Sequence, residues 1–232
     1  MKNIKPWHAY PHMAFDVDGT LLDSNIAHVW AWQDALETEG LFFPHMTLFM
    51  QMGLPGKKIV EKYRFLMRDK ETAERVAKAA GEIYSRRYVE LVAPYQGVYE
   101  LLETLKRQGH CLYAVTSASK TEADAMFKRF KLDTYFDDAM TAEESGEGKP
   151  SADPFLRLKA KVGARASILS IGDSPYDLKA SHEAGLPFLY LAHGGFAREW
   201  FNRAEYQYFN IKQLLAEMAR LKLPRRRSAN AA

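Results

Sequence analysis

Residues 12–23, HMAFDVDGTLLD, decide the fold. A short apolar run, Met13–Phe15, stands directly before two aspartates, Asp16 and Asp18. A short apolar run bounded by turn residues is typical of a buried strand. In an extended segment, residues two apart face the same side, so the two carboxylates are expected to project together. Gly19 then allows the tight turn that must follow.

Helices and strands alternate in the second part of the chain, after Pro94. Strands are predicted at Cys111–Val115, near Ala139, at Ser167–Ile171 and at Phe188–Leu191. Helices are predicted over 98–108, 120–130, 153–162, 176–184 and about 211–222. This alternation predicts an α/β fold with a parallel sheet and helices on both of its faces.

The first predicted strand is separated from this alternating part by a segment that shows only helical patterns, with helices over 25–39, 57–68 and 70–92. We therefore predict a Rossmann-like, doubly wound core formed by residues 1–23 and 94–223. An inserted helical cap domain is predicted for residues 24–93. Residues 224–232 are predicted to be a disordered basic tail.

Composition excludes several classes of protein. The chain has 232 residues, 47% hydrophobic residues and a net charge of +3, which excludes disorder throughout. Cys111 is the single cysteine, which excludes a disulfide framework. No apolar run reaches the roughly 18 residues of a membrane span, and the first residues lack a signal-peptide pattern. We predict a cytoplasmic protein, monomeric or homodimeric, with neither a membrane nor a nucleic-acid partner.

Reactive side chains follow other predicted strands and loops of this part of the chain. Thr116 and Ser117 follow one strand, Lys149 lies in a loop, and Asp173 and Asp177 follow another strand. Ligands of open α/β sheets bind beyond the carboxyl ends of the strands. Clustered carboxylates suit Mg²⁺, and a lysine offsets their charge. A nucleophile, an acid/base group, a metal site and a cation together predict phosphoryl transfer.

The same segments, in this order, resemble the motifs of the haloacid dehalogenase superfamily. The segments are Phe15–Leu21 (FDVDGTL), Thr116, Lys149-Pro150 and Gly172–Asp177 (GDSPYD). The helical insertion after the first motif resembles the C1-capped branch, which includes phosphoglycolate and sugar phosphatases, β-phosphoglucomutases and phosphonoacetaldehyde hydrolases. The resemblance spans residues 13–195 and implies Mg²⁺ as cofactor and a small phosphorylated metabolite as substrate.

The resemblance also implies roles for individual residues. Asp16 is expected to be the nucleophile that forms an aspartyl phosphate, and Asp18 the acid/base group. The Asp16 carboxylate, the Asp18 backbone carbonyl and the Asp173 carboxylate are expected to hold the metal. Lys149 neutralises the nucleophile and the phosphate, and Asp177 orients Lys149 or a metal-bound water.

The remaining expected binding residues lie in the turns and in the cap. Thr116 is expected to bind the phosphoryl group, with the backbone of Ser117, although Ser117 itself also fits the second motif. Gly19 is expected at the phosphate site.

His28 and Trp32 resemble a pattern of the β-phosphoglucomutases, in which the histidine positions the acid/base aspartate. Packing on the helix face is the favoured interpretation of Trp32, and packing explains His28 as well as the mutase-like role does. Gly53 and Lys57 fall where the cap's specificity loop is expected. Lys57 or its neighbour Lys58 is expected to reach a distal anionic group of the substrate, although solvated lysines at the start of a helix explain the pair as well.

These observations predict a Mg²⁺-dependent phosphatase for a small phosphate monoester of the phosphoglycolate or sugar phosphate type. The alternative is a sugar phosphomutase like the β-phosphoglucomutases. Two further alternatives are a phosphonoacetaldehyde hydrolase-like enzyme and a non-enzymatic phosphate-binding module. Asp18 argues against dehalogenase and phosphonoacetaldehyde hydrolase chemistry, because those enzymes lack this second aspartate.

Overall fold

The computed structural model describes residues 5–67 and 69–221, and these contain a six-stranded parallel sheet. Its strand order is β3-β2-β1-β4-β5-β6. The strands are β1 His12–Phe15, β2 Cys111–Val115, β3 Asp138–Met140, β4 Ile168–Gly172, β5 Phe188–Leu191 and β6 Tyr206–Tyr208. The α/β class and the predicted strands are confirmed. The predicted tail, 224–232, lies outside the described residues.

The α-helices of the described residues connect and cover these strands. They are α1 Asn25–Glu37, α2 His45–Phe49, α3 Gly56–Lys62, α4 Lys70–Ile83, α5 Val98–Arg107, α6 Lys120–Arg129, α7 Asp153–Val162, α8 Pro175–Glu183 and α9 Ile211–Leu221. None of the helices in residues 5–67 and 69–221 is long and apolar enough to cross a lipid bilayer.

Strand β1 lies at the centre of the sheet and pairs with both β2 and β4. Phe15 is level with Ala114 on one side and with Ile171 on the other. The N–H of Asp16 still donates to the carbonyl of Ile171 at 2.8 Å. The chain order reverses around β1, and such a switch point is where open α/β sheets form their ligand crevice.

Successive residues of β1 pack against opposite layers of helices, as the two-residue period of a strand requires. Met13 and Phe15 belong to a buried cluster that includes side chains of α5, α6 and α9. Ala14 belongs to a cluster that includes side chains of α7 and α8. Both faces of the central strand are therefore covered, which explains why its sequence is a continuous apolar run.

The described residues between Ser24 and Ala93 contain helices and turns and contribute no strand to the sheet. Most of their buried side chains form a cluster that also contains Tyr190 of β5 and Phe196. The Phe49 and Phe196 rings lie 5.0 Å apart within it. The segment therefore packs directly against β5 and the residues that follow it. Its status as a separate cap domain stays a prediction.

The helices of this segment differ from the sequence prediction. The expected helix over 57–68 ends at Lys62 and continues as a separate turn at Arg64–Leu66. The expected helix over 70–92 ends as an α-helix at Ile83 and continues as a π-helical turn, Tyr84–Tyr88. The wider turn directs Tyr84 towards His28, with ring centroids 3.9 Å apart. Where Tyr84 stacks on His28 of α1, the helix that the sequence predicts as continuous therefore changes from α-helix to a π-helical turn.

Helix α7 offers a direct test of the packing. Phe155 is 1% exposed, whereas its neighbour Leu156 is 46% exposed. Phe155→Ala is expected to lower the free energy of unfolding by about 3–5 kcal/mol, because it leaves a cavity in the core. Leu156→Ala is the matched control and should change it by about 0.5 kcal/mol or less. Urea denaturation measures both, and equal losses would contradict this orientation of α7.

Candidate active site

Lys149 lies at the centre of a group of buried charged side chains next to the carboxyl end of β1. Its Nζ lies 2.5 Å from Asp16 Oδ1 and 2.6 Å from Asp177 Oδ1. It also donates to the carbonyl of Val115, the last residue of β2, at 2.7 Å. Lys149 is 1% exposed. Burial by itself lowers the pKa of this lysine, but the two carboxylates outweigh burial and raise it, so the ammonium form is retained.

Asp177 reaches Lys149 because of the way α8 begins. Ser174 precedes this helix, and its Oγ accepts from the Asp177 N–H at 3.2 Å. The same hydroxyl donates to Asp177 Oδ2 at 2.5 Å. This reciprocal capping arrangement fixes the carboxylate, and its other oxygen, Oδ1, faces Lys149.

Asp173 is held by donors from the loop after β1 and from the start of α1. The Thr20 hydroxyl lies 2.9 Å from Asp173 Oδ1 and 3.1 Å from Asp16 Oδ2. The Asn25 amide donates to Asp173 Oδ2 at 3.1 Å and to the carbonyl of Gly194 at 2.9 Å. These contacts link the ends of β1 and β4 with the turn after β5.

Two glycines allow the backbone to approach Asp173 closely. A Cβ at Gly19, where φ is +80°, would lie 2.4 Å from Asp173 Oδ2. A Cβ at Gly194 would lie 1.9 Å from the same oxygen. No side chain fits at those distances without moving the carboxylate. The sequence predicts Gly19 at the phosphate site, and the structure places it beside Asp173.

Three carboxylates, those of Asp16, Asp173 and Asp177, offer oxygen atoms that lie within 4.8 Å of one another. Burial, followed by the charge of Asp177, raises the pKa of Asp16 to about 7. Burial and the charge of Asp16 raise the pKa of Asp173 well above its usual value. Lys149 offsets only one of these negative charges. The donor set therefore fits a divalent cation that prefers oxygen ligands, as Mg²⁺ does.

The side chain of Asp18 lies apart from this group of three carboxylates. Its Oδ1 accepts from the Ser24 hydroxyl at 2.6 Å and lies 3.1 Å from His28 Nε2. Burial raises the pKa of Asp18, but His28 and Ser24 outweigh it and lower the pKa overall. His28 stacks on Tyr84 with an interplanar angle of 9°. Asp18 thus has a fixed hydrogen-bonding partner that can share a proton with it.

Thr116 and Ser117, the two candidates for the second motif, have different contacts. Thr116 is 2% exposed, and its Oγ1 accepts from the Ala118 N–H at 3.1 Å. Ser117 lines the cavity described next and donates to the carbonyl of Gly53 at 2.9 Å. Gly53 must approach closely, because a Cβ there would lie 2.7 Å from Ser174 Oγ.

A cavity of about 300 Å³ opens from Asp16 and Asp18 towards the predicted cap. His28 and Trp32 of α1, Gly53 and Lys57 all line it. Lys57 contributes little to its interior: its side chain is 86% exposed and its Nζ lies 3.9 Å from Glu61. The structure therefore places His28, Trp32, Gly53 and Lys57 at the cavity, with the Lys57 side chain exposed to solvent. Lys58, the alternative to Lys57, donates instead to the carbonyl of Gly148.

Sequence reasoning did not predict several residues that contact the site. Asn25, Ser24 and Tyr84 carry no motif that marks them, although the first two follow the DGT turn at the entry to α1. Thr20 belongs to the first motif, but the motif alone does not predict its contacts with Asp16 and Asp173. Gly194 follows β5 in a Gly-Gly pair, and this pair was compatible with either a close approach or an ordinary turn.

Sequence comparison finds relatives that are named as pyrophosphatases. The chain is 27% identical over 182 residues to pyrophosphatase PpaX of Halalkalibacterium halodurans, covering 74% of this chain and 79% of the relative. It is 30% identical over 175 residues to a putative pyrophosphatase PpaX of Caldanaerobacter subterraneus subsp. tengcongensis, covering 74% and 77%.

Structural comparison finds the same fold in solved hydrolases. A hydrolase from Pseudomonas syringae matches with a TM-score of 0.82 and 28% identity, over 91% of this chain and 99% of the other. A predicted phosphoglycolate phosphatase from Haemophilus somnus matches with a TM-score of 0.76 and 22% identity, over 90% and 98%. At 22% identity, the second match shows the fold alone.

The family of haloacid dehalogenase-like hydrolases matches residues 13–191 of this chain. The matched region starts in β1 and ends with β5, so it contains Asp16, Lys149 and Asp173. The matched region covers most of the chain. The parallel sheet and the buried pair of Asp16 and Lys149 are consistent with this family. The protein is therefore an enzyme of the haloacid dehalogenase-like hydrolase family.

Proposed function

We propose that the enzyme is a Mg²⁺-dependent phosphatase that hydrolyses a small phosphate monoester through an aspartyl phosphate on Asp16. The observation that carries the proposal is the position of Asp16. Its buried carboxylate contacts the Lys149 ammonium, belongs to the group of three aspartates and lines the cavity. The name of the sequence relatives, pyrophosphatase, supports phosphate hydrolysis.

In the first step, an oxygen of Asp16 attacks phosphorus and the bond to the leaving oxygen breaks. Lys149 neutralises Asp16 and the transferred group, and Thr116 and the main-chain N–H of Ser117 bind its oxygens. Asp18 gives a proton to the leaving oxygen, so that an alcohol departs. The products of this step are the free alcohol and the phosphorylated Asp16.

In the second step, water attacks phosphorus and Asp18 takes the proton of that water. The bond from phosphorus to Asp16 breaks, which releases phosphate and restores the carboxylate. His28 serves Asp18 in both steps because the pair can hold one proton between Nε2 and Oδ1, 3.1 Å apart. A phosphoryl group beside Asp18 favours the protonated carboxyl, since like charge disfavours the ionised form.

Mg²⁺ would be held by the carboxylates of Asp16 and Asp173 and by the backbone carbonyl of Asp18. When bound, it supplies positive charge to the nucleophile and the phosphoryl oxygens. Asp177 positions Lys149 beside this site, as their 2.6 Å contact supports. The helical segment 24–93 acts in this proposal as the cap that surrounds the leaving group.

Two other activities on the same residues have specific support. Pyrophosphate hydrolysis is supported by the names of the relatives. Mutase activity is supported by the contact of His28 with Asp18, because His28 and Trp32 form the pattern that resembles the β-phosphoglucomutases.

Phosphate release should be measured from phosphate monoesters and pyrophosphate, with Mg²⁺ and with EDTA. The proposal expects Mg²⁺-dependent release from a monoester. Conversion of β-glucose 1-phosphate to the 6-phosphate without release would establish the mutase instead.

Asp16→Asn is expected to abolish turnover while the protein stays folded, because the amide cannot act as the nucleophile. Circular dichroism checks folding, and phosphate release checks activity. Asp124→Asn is the matched control, since its side chain is 62% exposed and pairs with Lys120 at 3.5 Å. Activity retained in Asp16→Asn would remove this residue as the nucleophile.

Asp18→Asn is expected to slow turnover by about 10²–10⁴-fold, because the acid/base group is lost. With a substrate whose leaving group needs no proton, the enzyme should then accumulate as the phosphorylated form. Intact-mass spectrometry would show the mass of one added phosphoryl group. Normal turnover in this variant would contradict the acid/base assignment.

Gly194→Ala tests the position of Asp173. The new Cβ would lie 1.9 Å from Asp173 Oδ2, so the carboxylate must move and the Mg²⁺ concentration for half-maximal activity should rise at least about tenfold. Gly40→Ala is the control: its Cβ meets no atom within 4 Å, although its φ of +68° is strained for alanine. It should lose stability and keep its Mg²⁺ dependence. An unchanged dependence in Gly194→Ala would separate Asp173 from the metal.

A further inference from the structure

The cavity wall that faces away from the buried charges is mainly apolar. Trp32, Met52, Ile59, Tyr84 and Met126 contribute to it, together with small residues of α4. In a phosphatase, this wall contacts the group to which the phosphate is esterified. At about 300 Å³, the cavity is at the small end of the usual range for ligand sites. It suits a leaving group of about one ring in size.

Basic side chains are directed away from this wall. Among the described residues that line the cavity, Lys57 is the only lysine or arginine, and its side chain is 86% exposed. Lys58 donates to the carbonyl of Gly148 at 3.2 Å, and Lys62 donates to Gln51 at 2.7 Å. A second anionic group on the substrate would therefore meet no buried lysine or arginine from residues 5–67 and 69–221 at this wall. Because the Lys57 side chain is exposed, this lysine could pair with such an anionic group only at the solvent edge of the cavity.

An acidic side chain, by contrast, does line the cavity. Glu122 of α6 accepts from the Ser119 N–H and hydroxyl through Oε2, at 2.9 and 2.7 Å. These bonds fix its carboxylate. Its Oε1 faces α4, where it would lie 2.7 Å from a Cβ at Gly81, another lining residue. The absence of that Cβ leaves room for the carboxylate at the wall.

We infer that the cavity selects phosphate monoesters whose leaving group is apolar and carries no anionic group, with a hydrogen-bond donor directed at Glu122. This inference rests on the proposed function. An anionic leaving group, such as phosphate or a carboxylate, would be desolvated beside Glu122 without a cation to offset it. A hydroxyl or ammonium group at the same place would be stabilised by the carboxylate. The site therefore disfavours pyrophosphate and phosphoglycolate, which carry a second anion.

Three phosphonates that differ only at the distal end of one ring test this selection. They are benzylphosphonate, 4-(hydroxymethyl)benzylphosphonate and 4-carboxybenzylphosphonate. Calorimetry with the full chain and Mg²⁺ measures their affinities without turnover, since the carbon–phosphorus bond is not hydrolysed. The carboxylate compound is expected to bind at least about tenfold more weakly than the hydroxymethyl compound, because like charges repel across a site of reduced dielectric constant. Equal or tighter binding of the carboxylate compound would overturn the inference.

Glu122→Gln assigns the selection to one residue. Glutamine keeps an acceptor for Ser119 and removes the charge, so the penalty on the carboxylate compound should fall by about tenfold. Glu103→Gln on α5, an exposed residue outside the cavity lining, is the matched control and should keep the penalty. The same penalty in both variants would overturn the role of Glu122.

Turnover of the corresponding phosphate esters separates this inference from the proposed function. Hydrolysis that favours 4-carboxybenzyl phosphate or pyrophosphate over benzyl phosphate would overturn the selection and leave the phosphatase intact. Selective binding of the phosphonates with no Mg²⁺-dependent hydrolysis of any ester would support the selection and contradict the proposed function. Phosphonate binding and ester turnover are both measured on the unaltered chain, so they test the inference even if a variant does not fold.

Discussion

The Lys149 ammonium lies between the carboxylates of Asp16 and Asp177, and the ends of three strands are arranged around it. Each partner is almost completely buried, so an unpaired charge here would be costly. Asp16 follows β1, the Val115 carbonyl ends β2, and Asp177 caps the helix after β4. Removing the lysine would leave buried carboxylates facing each other. The contacts of this one side chain therefore constrain how the ends of these three strands are positioned relative to one another.

One ammonium cannot offset the whole group of aspartates, and this imbalance explains several neighbouring features. Asp173 depends on donors from Thr20 and Asn25, and the closest backbone approaches are made by glycines. Burial raises the pKa values of Asp16 and Asp173, and the charges of the neighbouring aspartates raise them further. A divalent cation would remove this imbalance of charge, which is the physical reason for proposing a metal at these oxygens.

The sequence predicts those parts of the site that are formed by residues at strand ends. It does not predict the parts that are formed by contacts between loops. Asp16 and Asp173 come together because parallel strands end at one edge of the sheet, and Lys149 lies in the loop that follows the end of β3. Asn25 reaches Asp173 only because α1 and the turn at Gly194 fold against each other, and no local pattern marks that contact. Strand β6, Tyr206–Tyr208, was not predicted because three residues at a sheet edge show no periodicity. The roles of these residues stay predictions until tested.

The central claim is that Asp16 carries the phosphoryl group during turnover. Rapid acid quenching of the enzyme during turnover, followed by borohydride treatment, tests it directly, because borohydride reduces an acyl phosphate to an alcohol. Peptide mass spectrometry then locates the reduced residue. The account predicts reduction at Asp16 that requires substrate and Mg²⁺. Rapid phosphate release with no reduction at Asp16, or with reduction at another carboxylate, would contradict it.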